Sequence, residues 1–157
     1  MRILIVSDIH ANPWALDAVE RDSAESDFII CAGDTVGYGP EPGAAIQWLR
    51  DRQAIAVRGN HDHAVAFGAD PKASPAKQQL ALAMRDWTRI QIGAWDSAWL
   101  ERLPISLSWE MRGTRFALFH ATPLDPLYDY RLAPQAAEGL VSEMAAHVTA
   151  DALITGH

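Results

Sequence analysis

Residues 27–62 read DFIICAGDTVGYGPEPGAAIQWLRDRQAIAVRGNHD, and the order of patterns in this stretch decides the fold. An apolar run of strand length covers 27–32, a glycine-rich loop covers 33–41, a helix pattern covers 42–52, and a second apolar run covers 54–57. Apolar strands that alternate with amphipathic helices are typical of a parallel sheet covered on both faces. Such sheets bind ligands at the carboxyl ends of their strands.

The same unit precedes this stretch. Residues 2–7 form an apolar run rich in β-branched side chains, and Asn12 followed by Pro13 is typical of a helix N-cap with proline in the first turn. The mixed run over 20–27 is interpreted as the solvated end of that helix. The chain is therefore predicted to begin as strand, loop and helix.

Three more helices are predicted in the second half of the chain. They run from Ser74-Pro75 to residue 92, from Gly93 to residue 104, and from Pro134 to residue 148. Leu80, Met84 and Trp87 recur at helical spacing in the first of these, and they are expected to form its core stripe.

A β-hairpin is predicted between the last two of these helices. Strands over 105–110 and 114–119 flank Met111-Arg112-Gly113, which is a hairpin signature. Antiparallel strands are therefore expected to join the parallel ones. A last strand is predicted over 151–155.

Composition indicates one folded domain over residues 1–157. Of the 157 residues, 49% are hydrophobic and 21% are charged, which excludes disordered, collagen-like and disulfide-scaffold proteins. No internal repeat or linker interrupts the sequence. Cys31, the single cysteine, lies in the apolar run 28–31 and is predicted to be a buried structural thiol.

The chain carries 13 Lys and Arg against 20 Asp and Glu, a net charge of −7. This charge repels polyanions and argues against broad binding to nucleic acid, although a local cationic site remains open. The apolar run 3–6 is too short for a signal peptide, and no run approaches the roughly eighteen apolar residues that a membrane span needs. We therefore expect a cytoplasmic protein that does not cross a membrane.

Residue types that bind metals follow the predicted strands. They are Asp8, His10, Asp34, Asn60, His61, His120 and His157. Their oxygen and imidazole donors suit manganese, iron, zinc, cobalt or nickel better than a metal that demands thiolate. Each residue alone is equally well explained as a capping or turn residue, but together they predict one metal site at a single rim of the sheet.

Five motifs resemble the calcineurin-like metallophosphoesterase family in order and spacing: DIH at 8–10, GD at 33–34, GNHD at 59–62, His120, and GH at 156–157. GDTVGYGPEP, AVRGNHDHAV and HATPLDPLYDY further resemble its bacterial branch of predicted phosphoesterases and phosphodiesterases. The resemblance extends over residues 1–157. It implies an α/β fold, a mixed β-sheet sandwich flanked by helices, with the family's C-terminal strands missing.

The resemblance implies a centre of two divalent metal ions, such as manganese, iron or zinc. Asp8 and His10 would bind one ion, Asp34 would bridge, and Asn60, His120 and His157 would bind the second. Such ions, roughly 3.5–4 Å apart, lower the pKa of a shared water and hold phosphoryl oxygens for in-line attack. The implied activity is hydrolysis of phosphoesters by a metal-activated hydroxide.

Three further residues take roles from the resemblance. His61 is implied to be the general acid that protonates the leaving alkoxide, and Asp62 is implied to orient it. Arg58 matches an arginine that contacts substrate phosphate in related protein phosphatases. From the residues alone, Asp62 is equally a turn residue and Arg58 a surface arginine. His63 and His147 fall outside the family pattern.

One departure from the family pattern bears on the substrate. Gly37-Tyr38-Gly39 stands where protein phosphatases of this fold carry Asp-Arg-Gly, so one phosphate-binding arginine is missing. A singly charged phosphodiester is therefore expected to be preferred to a monoester, with a small or nucleotide-like substrate. Tyr38 is expected either to stack on a substrate ring or to pack on Pro40.

A second departure concerns the last motif, which is Gly-His-x-His in the family, whereas this sequence ends at Gly156-His157. We therefore expect a truncated member whose first metal lacks one ligand and binds weakly. Without the family's later strands, Trp109, Phe116 and Leu118 are expected to leave an apolar sheet edge that favours self-association.

Two other functions remain open. One is a catalytically weak or inactive metal-binding or scaffold module of the same fold. The other is a serine/threonine protein phosphatase, which the missing arginine disfavours. Metal-dependent turnover separates an enzyme from a scaffold.

Overall fold

Six helices and two three-stranded sheets form in residues 1–23, 25–132 and 136–157, which the computed structural model describes. In chain order the elements are β1 (Ile3–Val6), α1 (Pro13–Asp22), β2 (Phe28–Cys31), α2 (Pro42–Asp51), β3 (Ile55–Ala56), α3 (Asn60–Phe67), α4 (Gln78–Gln91), α5 (Ala94–Arg102), β4 (Ser106–Met111), β5 (Thr114–Phe119), α6 (Glu138–Ala146) and β6 (Ala152–Thr155).

The first sheet is parallel throughout, in the order β1-β2-β3. Ile3 pairs with Phe28, and Val6 pairs with Cys31, so the two strands end at the same level. Between them, Asn12 caps α1 by accepting a hydrogen bond from the backbone N–H of Ala15 at 3.1 Å. The predicted strand, loop and helix unit and its repeat are confirmed.

The second sheet has the order β4-β5-β6, with β4 antiparallel and β6 parallel to β5. Arg112 and Gly113 connect β4 to β5, and their φ angles of +54° and +80° match the left-handed turn that a two-residue hairpin favours. The hairpin is therefore confirmed. The expectation that its strands join the parallel sheet is wrong, because they form a sheet of their own.

The two sheets pack face to face. Their shared core contains Ile30 from β2 and Phe116, Leu118 and Ile154 from the second sheet. Face-to-face packing removes an apolar face of each sheet from water. If the two sheets were instead joined edge to edge, these apolar faces would remain exposed to solvent. Phe116 and Leu118 are thus buried on the central strand β5 and do not form the exposed apolar edge that the sequence predicted.

The helices cover the opposite face of the parallel sheet. Leu16 of α1, Ile46 and Leu49 of α2, and Leu100 of α5 belong to a second apolar core beneath this sheet. Cys31 is fully buried in it, and burial raises the pKa of its thiol to about 12. The prediction of an inert structural cysteine is confirmed.

Two helix predictions need correction. Helix α4 begins at Gln78, after the predicted start at Ser74. Its buried face contains Ala81 and Thr88, and Leu80 is 55% exposed because it lies off that face. Helix α6 spans Glu138–Ala146, and the predicted start at Pro134 lies outside the described residues. In the described parts of the chain, no helix is long and apolar enough to cross a membrane.

Candidate metal centre

All six predicted metal ligands meet where strands of the two sheets end. Asp8 and His10 follow β1, Asp34 follows β2, Asn60 follows β3, His120 follows β5, and His157 follows β6. One donor atom from each of Asp8, Asp34, His120 and His157 lies within 4.8 Å of the others. The carboxyl ends of strands in a layered α/β fold share one edge, which explains how distant motifs converge.

Asp34 lies in the middle of the cluster. Its Oδ2 atom is 3.8 Å from Nε2 of His10 and 3.4 Å from Nε2 of His120. Its Oδ1 atom accepts a hydrogen bond from the backbone N–H of His61 at 2.9 Å, which leaves Oδ2 for the centre. Asp34 therefore lies within 4 Å of a predicted ligand of each ion, the position that its predicted bridging role requires.

Backbone carbonyls orient the two histidines nearest Asp34. Nδ1 of His10 is 3.2 Å from the carbonyl oxygen of Val36, and Nδ1 of His120 is 2.8 Å from that of Ala32. A carbonyl oxygen only accepts hydrogen bonds, so each Nδ1 carries the proton and donates it. Each Nε2 atom then directs a lone pair toward the centre, as metal binding requires.

Asn60 and Asp8 are oriented in the same way. The amide nitrogen of Asn60 donates to the carbonyl oxygen of Pro71 at 2.7 Å, so its Oδ1 faces Nε2 of His120 at 3.0 Å. Oδ2 of Asp8 accepts hydrogen bonds from the Ser7 hydroxyl at 2.6 Å and from the backbone N–H of His157 at 3.0 Å. The first strand thereby holds the last residue of the chain in the cluster.

The donor set fits a cation. Nε2 of His120 faces Oδ1 of Asn60, Oδ2 of Asp34 and, at 3.2 Å, Nδ1 of His157. Burial lowers the pKa of His120, so its ring is neutral and Nε2 has no proton to offer. Burial, followed by the charges of Asp62 and Asp8, raises the pKa of Asp34. Lone pairs and carboxylates that face one another need positive charge between them.

The backbone at the ligands is strained. Asp8, His10, Asp34 and His157 have φ angles of +53°, +48°, +53° and +55°, in the left-handed region that residues with a Cβ rarely adopt. Such conformations cost about 1–3 kcal/mol each and collect at functional sites. Gly33, at φ +96°, leaves room for the cluster, since a Cβ there would lie 2.8 Å from Nδ1 of His120.

His61 lies beside the predicted ligands and is 6% exposed. Its ring centroid is 5.0 Å from that of His10 and 4.5 Å from that of Tyr38. Burial, followed by the neighbouring His10 and His120, lowers the pKa of His61 to about 3. The structure thus brings the predicted general acid to the centre as a neutral ring.

In the part of the chain that the structure describes, no hydrogen bond joins the carboxylate of Asp62 to the ring of His61. This fully buried carboxylate accepts hydrogen bonds from the backbone N–H groups of Val36 at 3.0 Å and Gly59 at 3.1 Å. These contacts join the loop after β2 to the start of α3. Asp62 therefore links two loops that carry predicted ligands, and its role as the partner that orients His61 stays a prediction.

An Asp62→Ala variant is expected to lose about 1–3 kcal/mol of unfolding free energy, because two buried N–H groups lose their acceptor. Thermal or urea unfolding measures this loss, and the exposed Asp86→Ala is the control. A direct orienting role predicts another result: normal stability, with a loss of activity confined to substrates with poor leaving groups.

Arg58 points away from the cluster. Its guanidinium donates to the carbonyl oxygens of Leu100 at 3.4 Å and Glu101 at 2.9 Å, and it lies over the ring of Phe67. The structure therefore does not bring Arg58 together with the other predicted site residues. Its role as a phosphate contact stays a prediction.

Tyr38 packs on two histidines of the cluster. Its ring centroid is 4.9 Å from that of His10 and 4.5 Å from that of His61. The sequence left open whether this ring meets the substrate or Pro40. Through these contacts, the Tyr38 ring restricts the rotation of the His10 and His61 side chains.

Comparison with known proteins identifies this arrangement. The family model of calcineurin-like phosphoesterases matches residues 1–157. The chain belongs to the calcineurin-like phosphoesterase family. An uncharacterised protein of Methanocaldococcus jannaschii, MJ0912, is 33% identical over 131 residues, which are 82% of this chain and 53% of that protein.

Two solved structures share the fold. A metallophosphoesterase from Sphaerobacter thermophilus matches 100% of this chain and 60% of its own, with 30% identity and a TM-score of 0.78. Protein PH1004 from Pyrococcus horikoshii OT3 matches 98% of this chain and 68% of its own, with a TM-score of 0.80 and 19% identity, which shows the fold alone. This chain therefore spans 53% and 60% of the M. jannaschii and S. thermophilus relatives.

A cavity of about 600 Å³ opens over the centre of this family member. Besides predicted ligands, its lining includes three residues to which the sequence motifs give no role: Lys72, Lys77 and Tyr130. A usable signal existed, because Lys72 and Lys77 are the only lysines in the sequence and stand five positions apart. Tyr130 ends the quoted motif HATPLDPLYDY, but nothing in the motif itself indicates where its ring points.

Proposed function

We propose that this chain hydrolyses phosphoesters, most readily phosphodiesters, with two divalent cations bound around Asp34. The observation that carries the proposal is the set of imidazole Nε2 and amide Oδ1 atoms that converge around that carboxylate. Manganese, iron and zinc all suit oxygen and imidazole donors. Membership of the phosphoesterase family supports the same chemistry.

The ligands divide between two positions. Asp8 and His10 would hold one cation, Asn60, His120 and His157 would hold the other, and Oδ2 of Asp34 would contact both. When bound, such cations activate water and neutralise charge on the phosphoryl group. The hydrogen bonds to Val36, Ala32 and Pro71 hold the ligand atoms in place before any cation arrives.

His61 is the group best placed to protonate the leaving oxygen. It lines the cavity beside Asp34, and the rings of His10 and Tyr38 hold it. A neutral ring must take up a proton before it can donate one. The negative charge of a bound phosphoester favours that uptake, because it stabilises the imidazolium that burial alone disfavours.

A preference for diesters follows from the lack of arginine side chains at the centre among the described residues. Gly37-Tyr38-Gly39 brings no arginine, and the guanidinium of Arg58 bonds to α5. Bidentate hydrogen bonds from arginine stabilise a bound dianionic monoester more than a bound monoanionic diester. The protein phosphatase alternative needs those hydrogen bonds and is disfavoured for the same reason.

Titration with manganese is expected to show two bound ions per chain and hydrolysis of bis(p-nitrophenyl) phosphate that rises with occupancy. The same protein should hydrolyse p-nitrophenyl phosphate more slowly, and a chelator should stop both reactions. His63→Gln replaces a histidine outside the cluster and should bind manganese and hydrolyse both substrates like the wild type. Metal binding without turnover would instead favour the scaffold alternative, and binding of no ion would contradict both.

A further inference from the structure

The two lysines of the chain both line the cavity over the centre. Lys72 and Lys77 line it along with Ala73, Ser74 and Pro75, which belong to the segment between α3 and α4. The chain as a whole carries a net charge of −7. The two lysines therefore bring positive charge to a cavity whose lining also contains the carboxylates of Asp8 and Asp34, which the proposed cations would neutralise.

One carboxylate lies beside the lysine segment: Oδ1 of Asp70 accepts hydrogen bonds from the backbone N–H of Lys72 and from the side-chain amide of Gln78, both at 2.7 Å. In the ranges that the structure describes, no ion pair joins Lys72 or Lys77 to Asp or Glu. The ammonium of Lys72 lies 4.0 Å from the ring centroid of Tyr128. Both side chains are exposed, so their charges remain available to a ligand that enters the cavity.

The lysine segment is fixed to the metal ligands. The carbonyl oxygen of Pro71, next to Lys72, accepts the hydrogen bond from Asn60 that orients this ligand. The hydroxyl of Tyr130 donates to the carbonyl oxygen of Lys72 at 2.8 Å, and the same ring stacks on His157 at 4.2 Å. The backbone at Pro71 and Lys72 is thus held at a set position relative to the centre, and the exposed side chain of Lys72 extends from this fixed point.

The start of α4 adds to the positive potential. Lys77 is its N-cap residue and makes no side-chain capping bond, and the helix continues for 14 residues. The N-terminus of a helix carries a partial positive charge that favours anions nearby. The helix end therefore acts in the same direction as the two ammonium groups.

We infer that Lys72 and Lys77 form a second anion subsite, which binds a phosphate group of the substrate other than the one that is hydrolysed. The inference rests on the proposed function and narrows its substrate class to phosphodiesters that carry a further phosphate. The centre around Asp34 holds the reacting phosphoryl group. The second phosphate lies at the rim, where two ammonium groups meet it.

The test uses p-nitrophenyl phosphodiesters whose second alcohol is a chain of two to five carbons that ends in a phosphate, and the matched chains that end in a hydroxyl. At the best chain length, kcat/KM is expected to be about tenfold higher for the phosphate ending, mainly through KM, since exposed ion pairs contribute modestly. In Lys72→Gln/Lys77→Gln this ratio should fall to about one. Lys72→Arg/Lys77→Arg should restore it.

Arg21→Gln/Arg112→Gln removes the same charge far from the cavity and should keep the wild-type ratio. A wild-type ratio near one, or an unchanged ratio in the lysine variant, overturns the subsite. If neither diester is hydrolysed, the proposed function fails, and calorimetry then decides the subsite separately. Propane-1,3-diol bisphosphate should bind the manganese-saturated wild type more tightly than the monophosphate does, and equal binding overturns the inference.

Discussion

An Asp34→Asn variant is expected to lose metal-dependent phosphodiester hydrolysis by about 10³-fold or more, because several kcal/mol of charge stabilisation disappear with the carboxylate. Oδ2 of Asp34 lies 3.8 Å from Nε2 of His10 and 3.4 Å from Nε2 of His120, so this carboxylate is near predicted ligands of both ions. Manganese titration and kcat/KM for bis(p-nitrophenyl) phosphate measure the loss.

The same variant is expected to be at least as stable as the wild type in a chelator. Burial and the charges of Asp62 and Asp8 raise the pKa of Asp34, so its ionised form destabilises the metal-free folded chain at neutral pH. A neutral amide removes that cost. Asp17→Asn, on the exposed surface of α1, is the control. Wild-type turnover in Asp34→Asn would contradict the bridging role, whereas a lower melting temperature in chelator would contradict the electrostatic argument.

The convergence of the predicted ligands could be foreseen from sequence because each of them follows a strand. Asp8 and Asp34 come directly after apolar runs whose parallel pairing was predictable from the strand and helix alternation. Parallel strands end at one edge, so linear positions translate into spatial neighbours. This alternation could not predict that His120 and His157 lie at the same edge, because they follow strands of the second sheet. Their place in the site was indicated only by the family motifs that contain them.

The direction of individual side chains could not be predicted. Asp62 and Arg58 flank the ligand Asn60 in the motif, yet Asp62 turns to the backbone of Val36 and Gly59, and Arg58 turns to α5. At the start of a helix, successive residues point to different sides, and the partner on each side is set by tertiary packing. A one-dimensional motif contains no information about that packing.

The cavity rim was missed for a related reason. Lys72 precedes the helix predicted from Ser74, and Lys77 stands ahead of its predicted core stripe, so no pattern placed either residue relative to the sheet. The bonds that fix the backbone here, from Asn60 to Pro71 and from Tyr130 to Lys72, join residues that are far apart in sequence. The hairpin shows the opposite case, because its turn was local and predictable but the sheet that it joins was not.

Replacement of His61 by glutamine is expected to slow hydrolysis of phosphodiesters with poor leaving groups by about 10²–10⁴-fold, the usual contribution of one general acid. Bis(p-nitrophenyl) phosphate should be affected far less, because a nitrophenolate departs without a proton. The ring of His61 lies beside the cluster and against Tyr38, so it can reach an oxygen that leaves from the cavity. The hydrolysis rates of two diesters that differ only in the leaving group, one with methanol and one with p-nitrophenol, measure the difference.

The control is His63→Gln, two positions along α3, where the ring packs on Phe67 outside the cluster. Both variants should bind manganese like the wild type, since neither residue is a proposed ligand. Loss of metal by His61→Gln would mean that this ring supports the centre itself. Equal losses on the two esters would assign His61 to positioning, because a proton donor must matter more as the leaving group becomes more basic.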